Sequence, residues 1–303
     1  MAIAFTSGHE SSARGSSGHS GFLPGEVPDG FVVLGRTAGG TFSEIWQVRD
    51  IRTGTLGALK RLRPEWRNDS TARCLLTNEA RVANSLKSQY VVQAIRSEFE
   101  WNRCCVVFEW LDGITLEQRL VDDGPLPVAT AVWIARQAAQ AMADLAKAGY
   151  SHGDIKPSNI FLTAQGDAKL VDLGFARFID GRGDGGLQRM VTGTAEYMAP
   201  ESLSQQPCSP VAKDVYSLGV TLFRMLTGAV PFSAGATADV LRLQRTARPP
   251  QLRRKCPAAP RELASLVDQM LAKHPVRRPS SPASLVRSLI NLELTFLPQR
   301  MAG

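Results

Sequence analysis

The sequence of 303 residues lacks an apolar run long enough to cross a membrane. The apolar stretches 130–145 and 285–297, for example, are interrupted by charged side chains and fall short of the roughly 18 apolar residues that a span needs. The N-terminus also lacks a basic segment followed by an apolar one, the pattern of a secretory signal. We therefore expect neither a membrane span nor a secretory leader.

Paired cysteine motifs are also missing. The five cysteines are an odd number, and no two of them have Cys-x-x-Cys spacing. Cys104 and Cys105 lie in an apolar, strand-like run, where buried free thiols are favoured over metal ligands. Free thiols are typical of a reducing compartment, so we expect a cytoplasmic protein.

Acidic residues are fewer than basic ones, 28 against 35, which gives a net charge of +7. The excess fits solubility and affinity for anionic phosphate ligands; nucleic-acid binding is the alternative. No basic run is interleaved with aromatic residues, and the cluster 253–255 is short. We therefore expect no nucleic-acid partner. Apolar residues make up 44%, as in a globular domain with its own core. Residues 1–28 are instead rich in Ser and Gly and predict a disordered tail, with a role in targeting or secretion as the alternative.

One stretch, residues 150–174, combines a hairpin pattern with polar residues. Two short apolar runs, 160–162 and 169–171, lie on either side of a turn that contains a glycine, which is typical of a β-hairpin. Asn159 precedes the first run and Asp172 follows the second. Because the open ends of an antiparallel hairpin lie side by side, an amide oxygen and a carboxylate should converge there. Such hard oxygen ligands favour Mg²⁺ that is completed by water and substrate phosphates.

Two charged residues precede this hairpin. Asp154, five residues before Asn159, is able to accept a proton, and Lys156 is able to neutralise phosphate charge. The run His152-Gly-Asp-Ile-Lys-Pro-Ser-Asn resembles the catalytic loop of the protein kinase family, and Asp172-Leu-Gly resembles its metal-binding motif. Two alternatives stay open on these residues alone. One is a polar surface turn with capping side chains, and the other is a small-molecule phosphotransferase of the aminoglycoside or choline kinase type, which has a similar His-Gly-Asp element.

A glycine-bearing turn lies between strand patterns in residues 31–60, and such turns let backbone N–H groups approach phosphates closely. It resembles the kinase glycine-rich loop, with Ala38 and Ser43 in place of the first and third glycine and Gly40 as the second. Downstream, Ala58-Leu-Lys60 resembles the strand whose lysine fixes the α- and β-phosphates. The resemblance implies nucleotide contacts at Leu34, Gly35, Ala38, Gly39, Gly40, Ser43, Ile45, Ala58 and Lys60.

Apolar residues at helical spacing predict a helix over 71–86 that contains Glu79, nineteen residues after Lys60. The family's helix glutamate pairs with its strand lysine at this spacing, and a desolvated lysine requires such a partner. Short strands are predicted at 91–92 and 104–110. By resemblance, Phe108 is a gatekeeper that narrows the pocket behind the purine, Glu109, Trp110 and Leu111 form the adenine-binding hinge, and Phe161 is a further nucleotide contact.

Further helices are predicted over 127–148, 214–228 and 285–296, and the glycines within 175–191 predict a mobile segment. Three later motifs also resemble kinase segments. Gly193-Thr194 through Ala-Pro-Glu201 resembles the end of the activation loop, in which Thr194 contacts the catalytic Asp and Lys. Asp214 matches the residue that anchors the catalytic-loop backbone, and Arg278 matches the arginine that pairs with Glu201.

The joint order of these motifs resembles the bacterial type of serine/threonine protein kinase. The implied fold is α+β with two lobes: a disordered tail at 1–28, a nucleotide-binding sheet lobe at 29–111, a mainly helical lobe at 112–296, and a tail at 297–303. The implied activity is phosphorylation of Ser and Thr on protein substrates, with ATP and Mg²⁺. Asp154 would act as base, Lys156 would balance γ-phosphoryl charge, Lys60 held by Glu79 would orient ATP, and Asn159 and Asp172 would hold the metal. A nucleotide-binding pseudokinase that acts as an interaction module is the alternative.

Two departures from the family pattern bear on regulation and specificity. Gly153 and Met190 stand where kinases regulated through the activation loop have Arg and a phosphorylated Thr, which predicts activity without loop phosphorylation; Thr192 is a candidate autophosphorylation site. Ser158 and Arg224 stand where kinases that favour basic peptides have Glu. We therefore expect no preference for Arg upstream of the acceptor and a tolerance of acidic residues.

Overall fold

The computed structural model describes residues 27–99, 104–181, 194–203 and 208–300, with side chains as far as residue 296. Almost all of the predicted N-terminal tail lies outside these ranges. So do most of the segment predicted to be mobile and the positions Met190 and Thr192.

A five-stranded antiparallel sheet forms the first lobe, with the strand order β1-β2-β3-β5-β4. Its strands are β1 (Phe31–Gly39), β2 (Ser43–Asp50), β3 (Leu56–Leu62), β4 (Ala94–Phe99) and β5 (Cys104–Glu109). The prediction of a strand at 91–92 was wrong. Val91 makes only an isolated bridge to Leu170, and the strand begins at Ala94.

One long helix, α1 (Ser70–Ser85), packs beside this sheet. It begins where the side chain of Asp69 accepts a hydrogen bond from the backbone N–H of Ala72 at 2.7 Å, a cap that satisfies one of the free donors of the first turn. Its buried face carries the apolar residues that predicted the helix, and Glu79 lies on that face among them. The packing of α1 therefore directs a carboxylate into the interior.

The chain then passes to a mainly helical second lobe that also contains two small sheets. A three-stranded sheet is formed by β6 (Gly113–Thr115), β8 (Ile160–Thr163) and β9 (Ala168–Leu170), and a two-stranded sheet by β7 (Tyr150–Ser151) and β10 (Arg177–Phe178). The helices are α2 (Leu116–Asp123), α3 (Val128–Lys147), α4 (Pro210–Thr227), α5 (Thr237–Thr246), α6 (Leu252–Lys255), α7 (Arg261–Met270) and α8 (Pro282–Arg300).

The centre of this lobe is α3, which packs against α4 and α8. Its alanine-rich buried face allows the neighbouring helices to approach closely, and Arg136 forms an ion pair of 2.8 Å with Glu293 on α8. The predicted hairpin is present as β8 and β9. The last helix continues to Arg300, so the tail predicted from residue 297 begins later than expected. Across the described ranges, no helix combines the length and the apolar character that a membrane crossing requires.

Candidate active site

The catalytic-loop candidates are buried and bonded to one another. Asp154 accepts from Lys156 Nζ at 2.7 Å through Oδ2, and the same oxygen accepts from Asn159 Nδ2 at 3.0 Å. Asn159 Nδ2 also donates to the backbone carbonyl of Asp154 at 2.8 Å. Burial opposes the charge of Lys156, but the adjacent Asp154 carboxylate raises the pKa of this lysine above its ordinary value. The three predicted residues therefore form one rigid unit.

The backbone of this loop is anchored by Asp214 on α4. Its carboxylate accepts from the backbone N–H of His152 at 2.7 Å and from that of Gly153 at 2.9 Å, as the resemblance implied. Burial raises the pKa of Asp214, and the two N–H donors partly offset this effect. His152 is fully buried and bridges the carbonyl of Val171 and the N–H of Asp154, which ties the loop to the hairpin.

Gly153 occupies a position that no other residue fits. Its φ is +81°, and a Cβ atom there would lie 2.4 Å from the carbonyl oxygen of Phe175. The arginine that regulated kinases have here would meet the backbone of the segment that follows Asp172. The backbone conformation at position 153 therefore leaves no space for that arginine.

Lys60 on β3 lies between two carboxylates. Its Nζ is 2.6 Å from Glu79 on α1 and 3.0 Å from Asp172, so the predicted strand–helix ion pair is present. Burial alone would lower the pKa of Lys60, but the two carboxylates raise it. One cation cannot fully balance two buried anions. Lys60 lowers the pKa of Asp172 although burial of that carboxyl opposes the shift, whereas burial raises the pKa of Glu79 to about 7.

Asp172 has a left-handed backbone conformation, with φ 64° and ψ 69°, and it is the one non-glycine residue of the described ranges with positive φ. Such a conformation is strained, and in proteins this strain is concentrated at functional sites. Asn159 commits its amide nitrogen to Asp154, and its side-chain oxygen accepts one long hydrogen bond of 3.4 Å from Ser158 Oγ. Asp172 has a second oxygen besides the one that accepts from Lys60. An amide oxygen and a carboxylate oxygen fit Mg²⁺. Within the described ranges, no three or more His, Cys, Asp or Glu side chains are placed so that they could together hold a metal ion, so water and phosphate would supply the other ligands.

A further residue, Asn78, connects α1 to the segment after Asp172. Its Nδ2 donates to the carbonyls of Gly174 at 2.9 Å and Ala176 at 2.8 Å, and it is almost fully buried. Its Oδ1 accepts from Arg81, whose guanidinium lies 4.8 Å from the centre of the Phe178 ring. The sequence analysis missed this residue, because an Asn inside a helix pattern gives no signal of distant carbonyl partners.

The glycine-bearing turn lies opposite the catalytic loop. Both contribute to one cleft of about 280 Å³, whose lining includes Ala38, Gly39, Gly40, Ser43, Ile45, Lys60, Glu79, Asp154, Lys156, Asp172 and Thr194. The turn itself is held by the N–H of Gly40, which donates to Ser43 O at 2.7 Å, and by Phe42 O, which accepts from the N–H of Arg63 at 2.9 Å. The candidate phosphate and acceptor groups therefore share one space.

The predicted adenine contacts fall into two groups. Ile45, Ala58, Phe108, Glu109 and Leu111 line an adjoining cavity that also reaches Lys60 and Asp172. By contrast, Leu34, Gly35 and Phe161 are not among the residues that line these two cavities in the described part of the chain. Leu34 is exposed at a β-bulge of β1, and Phe161 is fully buried in the core.

Arg224 on α4 has partners that the sequence analysis did not foresee. Its guanidinium forms two hydrogen bonds, of 2.6 and 2.7 Å, with the Glu117 carboxylate on α2 and one of 2.6 Å with Tyr197 Oη. Its charge is therefore already balanced, and Arg224 gives no support to the predicted tolerance of acidic residues. Ser158, the other position behind that prediction, is buried.

The segment 194–203 is fixed to the second lobe through Glu201. Arg278 contacts this carboxylate at 2.5 and 2.7 Å and also donates to Ala212 O, so the predicted buried ion pair is present. Thr194, at the other end of the segment, lines the same cleft as Asp154 and Lys156. The segment thus brings a threonine to the cleft, and its contact with Asp154 and Lys156 stays a prediction.

Comparisons with known proteins agree with this geometry. Residues 32–290 match the family model described as the protein kinase domain. The chain is 32% identical over 266 residues to "Serine/threonine-protein kinases drp72" of Corynebacterium efficiens, an alignment that covers 86% of this chain and 50% of the relative. It is 31% identical over 246 residues to PknA of Corynebacterium glutamicum, covering 79% and 51% of the two chains, and 31% identical over 270 residues to PkaA of Streptomyces coelicolor, covering 84% and 48%.

All three relatives have names that describe serine/threonine-protein kinases. The chain spans about half the length of these curated relatives. Its two lobes, its cleft and the match to the family model over most of its length lead to one conclusion: the chain belongs to the protein kinase family, with the α+β fold of that family.

Proposed function

We propose that this protein transfers the γ-phosphoryl group of ATP to Ser and Thr hydroxyls of protein substrates. The observation that carries the proposal is the shared cleft, which a proton acceptor, Asp154, a phosphate-binding cation, Lys60, and one metal ligand, Asp172, all line. Asn159, the second metal ligand, is buried directly behind Asp154 and is bonded to it. The names of the relatives, which describe serine/threonine-protein kinases, agree with it.

Each buried residue has a defined task. Lys60 contacts the α- and β-phosphates, and Glu79 keeps its ammonium group in place. Asp154 orients the acceptor hydroxyl and accepts its proton. Lys156, now paired with Asp154, supplies positive charge beside the transferred group. Positioning and charge balance account for most of the catalysis in such reactions.

Mg²⁺ would be held by the side-chain oxygen of Asn159, in place of its long hydrogen bond from Ser158 Oγ, and by the second carboxylate oxygen of Asp172. When bound, it would neutralise phosphate charge and hold the phosphates in a reactive arrangement. The hydrogen bonds from Asn159 Nδ2 to Asp154 fix the direction of the amide, so its oxygen is oriented before a metal arrives. The strained backbone of Asp172 does the same for the carboxylate.

Two features favour Ser and Thr as acceptors. Lys156 lies two residues after Asp154, and Thr194 lines the same cleft. The resemblance associates both with serine/threonine kinases. We still expect no preference for Arg upstream of the acceptor, because Ser158 is uncharged and Arg224 is neutralised by Glu117. A peptide array should therefore show neither a strong basic nor a strong acidic preference at the peptide positions upstream of the phosphorylated hydroxyl.

The activity is expected not to require phosphorylation of the activation loop. At position 153 a glycine replaces the arginine that would receive the phosphate, and Asn78 holds α1 against the segment after Asp172 through a hydrogen bond to the carbonyl of Gly174. The comparison of fully dephosphorylated protein with autophosphorylated protein tests this. Rates within a factor of about three are expected, and a large activation that is lost in Thr192→Ala would contradict it.

The expected cytoplasmic location stays a prediction. It is supported by the five cysteines, all of which lie in the described ranges as free thiols.

The test of the proposed function is transfer of label from γ-labelled ATP with Mg²⁺ to a general acceptor protein such as casein, followed by phosphoamino-acid analysis. We expect phosphoserine and phosphothreonine with the native chain and almost none with Asp154→Asn. Asp123→Asn, an exposed change of the same kind on α2, is the matched control. Nucleotide binding without any transfer would instead support the pseudokinase alternative, and label on small molecules alone would contradict a protein acceptor.

A further inference from the structure

The net charge of the chain is concentrated in one segment. Residues 240–261 contain seven Arg and Lys residues and no Asp or Glu, whereas the rest of the chain has 28 basic and 28 acidic residues. The whole excess of +7 therefore falls within 22 residues. A general need for solubility would not concentrate it in this way, so the segment requires its own explanation.

The fold exposes this charge on the second lobe. The seven residues, which we call the basic face, are Arg242 and Arg245 on α5, Arg248 in the connection to α6, Arg253, Arg254 and Lys255 on α6, and Arg261 at the start of α7. All seven are exposed. The helices are attached by other residues of the same segment, Val240 and Gln244 on α5 and Leu252 on α6, which are buried.

Few carboxylates lie near enough to neutralise the basic face. Asp239 pairs with Arg242 at 3.1 Å, but both side chains are more than half exposed, so this pair contributes little. Asp268 lies near Arg248. Within the described ranges, Arg245, Arg254 and Lys255 have no carboxylate partner, and Arg253 donates only to the backbone carbonyl of Ala259. The face therefore presents uncompensated positive charge.

Buried contacts connect the basic face to the acceptor side of the cleft. The Gln244 side chain donates to the carbonyl of Glu196 at 2.5 Å and accepts from Tyr216 Oη. Glu196 lies two residues from Thr194, which lines the same cleft as Asp154. The helix α5, which carries Arg242 and Arg245, is therefore bonded directly to a segment that reaches the cleft.

The composition of the face discriminates among anionic partners. Residues 240–261 include no Phe, Trp or Tyr, so the face lacks the aromatic platforms on which nucleic-acid bases stack. None of the exposed large apolar side chains of the described ranges falls in this segment, so it also lacks the residues that insert into a membrane. Charge without stacking or insertion fits carboxylates on a flexible protein segment.

We propose that the basic face is a docking site for an Asp- and Glu-rich segment of the protein substrate, separate from the residues around the phosphorylated hydroxyl. This inference rests on the proposed function. Docking at a distance from the chemistry concentrates substrate at the cleft, so it lowers the KM for the protein substrate and leaves kcat unchanged. The effect weakens as salt screens the charges.

Direct binding tests the site independently of catalysis. The probe is a fluorescent peptide of ten alternating Glu and Asp residues, titrated by anisotropy against the full chain carrying Asp154→Asn. We expect the Kd to rise about tenfold on adding R253E, R254E and K255E, and to rise from 50 to 300 mM NaCl without them. The control is R49E, R52E and K87E, which reverses three exposed charges elsewhere and should leave the Kd within about twofold. Equal losses in both triple variants would overturn the proposal.

Kinetics on the active chain separate this inference from the proposed function. One acceptor peptide is compared with and without a C-terminal extension of ten acidic residues. We expect the extension to lower the KM about tenfold in the native chain and to have no effect in R253E/R254E/K255E, while kcat for the plain peptide is the same in both. Phosphorylation of the plain peptide with no benefit from the extension would overturn the docking site and leave the kinase activity intact. Phosphorylation of neither peptide would count against the activity.

Two further probes test the nature of the partner. A single-stranded oligonucleotide and vesicles containing phosphatidylserine are titrated at the same charge concentration as the acidic peptide. We expect weaker binding of both. Binding of either probe more tightly than the peptide, and lost in R253E/R254E/K255E, would replace the acidic protein segment by a nucleic acid or a membrane surface.

Discussion

Two loops face each other across the cleft, and they are held in different ways. The catalytic loop, residues 152–159, has a buried histidine, carboxylate, lysine and amide, and each of them makes hydrogen bonds or ion pairs within the interior. The glycine-bearing turn between β1 and β2 has exposed residues at its tip, among them Phe42, and few backbone hydrogen bonds. One side of the cleft is bonded to the interior, whereas the tip of the other side is exposed.

This difference matches the tasks proposed for the two loops. Proton acceptance and metal binding depend on geometry within a fraction of an ångström, so these groups must be held before the substrate arrives. A loop that lies over the phosphates must open to admit ATP and to release ADP, so it cannot be bonded tightly to the protein interior.

The difference between the two loops is tested most sharply by comparing the loss of kcat in Asp154→Asn with the loss in Phe42→Ala. Asn cannot accept the proton, so kcat should fall by about 10²- to 10⁴-fold. Phe42 contacts Trp66 at a ring-centre distance of 4.7 Å on an exposed turn, and its loss should lower kcat less than tenfold. Steady-state kinetics with saturating ATP measure both values. Similar losses in the two variants would remove the distinction, and unchanged melting temperatures would show that both proteins are folded.

Gly153→Ala and Gly39→Ala compare one glycine from each loop. A Cβ at Gly153 requires a left-handed φ and meets the Phe175 carbonyl, so we expect a loss of about 3 kcal/mol in unfolding free energy together with lower activity. A Cβ at Gly39 meets only the ends of the flexible Arg36 and Arg63 side chains, which are able to move aside. The loss there should stay below about 1 kcal/mol. Urea denaturation measures both, and a Gly153→Ala protein of native stability would contradict the geometry.

The Lys60–Glu79 pair on the sheet side predicts a dependence of stability on pH. The pKa of Glu79 is about 7 in the folded protein and 4.5 ordinarily, so between these values the folded state binds more protons than the unfolded state. The unfolding free energy attributable to Glu79 should therefore fall as pH rises through this window, by at most about 3 kcal/mol.

The measurement is urea denaturation of the native chain and Glu79→Gln at pH 5 and pH 8, without nucleotide. Contributions from other groups, such as Asp214, are common to both proteins and cancel in the difference. We expect the native chain to lose stability relative to Glu79→Gln between the two pH values. Parallel pH profiles would show that Glu79 keeps its charge throughout this range.

Asn78→Leu should have the smallest of the four effects. It removes the two hydrogen bonds that hold α1 against the segment after Asp172, so Glu79 should less often reach Lys60. We expect kcat/KM for ATP to fall about tenfold, which corresponds to the loss of roughly one net hydrogen bond. Asn84→Leu, at an exposed position on the same helix, is the control and should stay within a factor of two. Equal rates for both variants would deny Asn78 a positioning role.

The sequence predicted the parts of the molecule that depend on local order along the chain. The hairpin of β8 and β9 followed from two apolar runs and a turn, and α1 and α3 followed from helical spacing of apolar residues. The resemblance then predicted the contacts of Lys60 with Glu79 and of Asp214 with the catalytic loop, because the motifs keep their order in the chain. The prediction of a strand at 91–92 was wrong, since two valines cannot indicate whether the backbone pairs with a neighbouring strand or makes only a single bridge.

Local patterns were therefore enough to identify the reactive groups and the elements that carry them. The contacts of the folded chain were needed to see that Arg224 is neutralised by Glu117, 107 positions earlier, that Gly153 has no room for a side chain, and that the seven basic residues of 240–261 are all exposed. The difference comes from the range of the interactions. Helix and turn formation depend on neighbours within a few residues, whereas charge balance, steric room and exposure depend on which distant segments the packed core brings together.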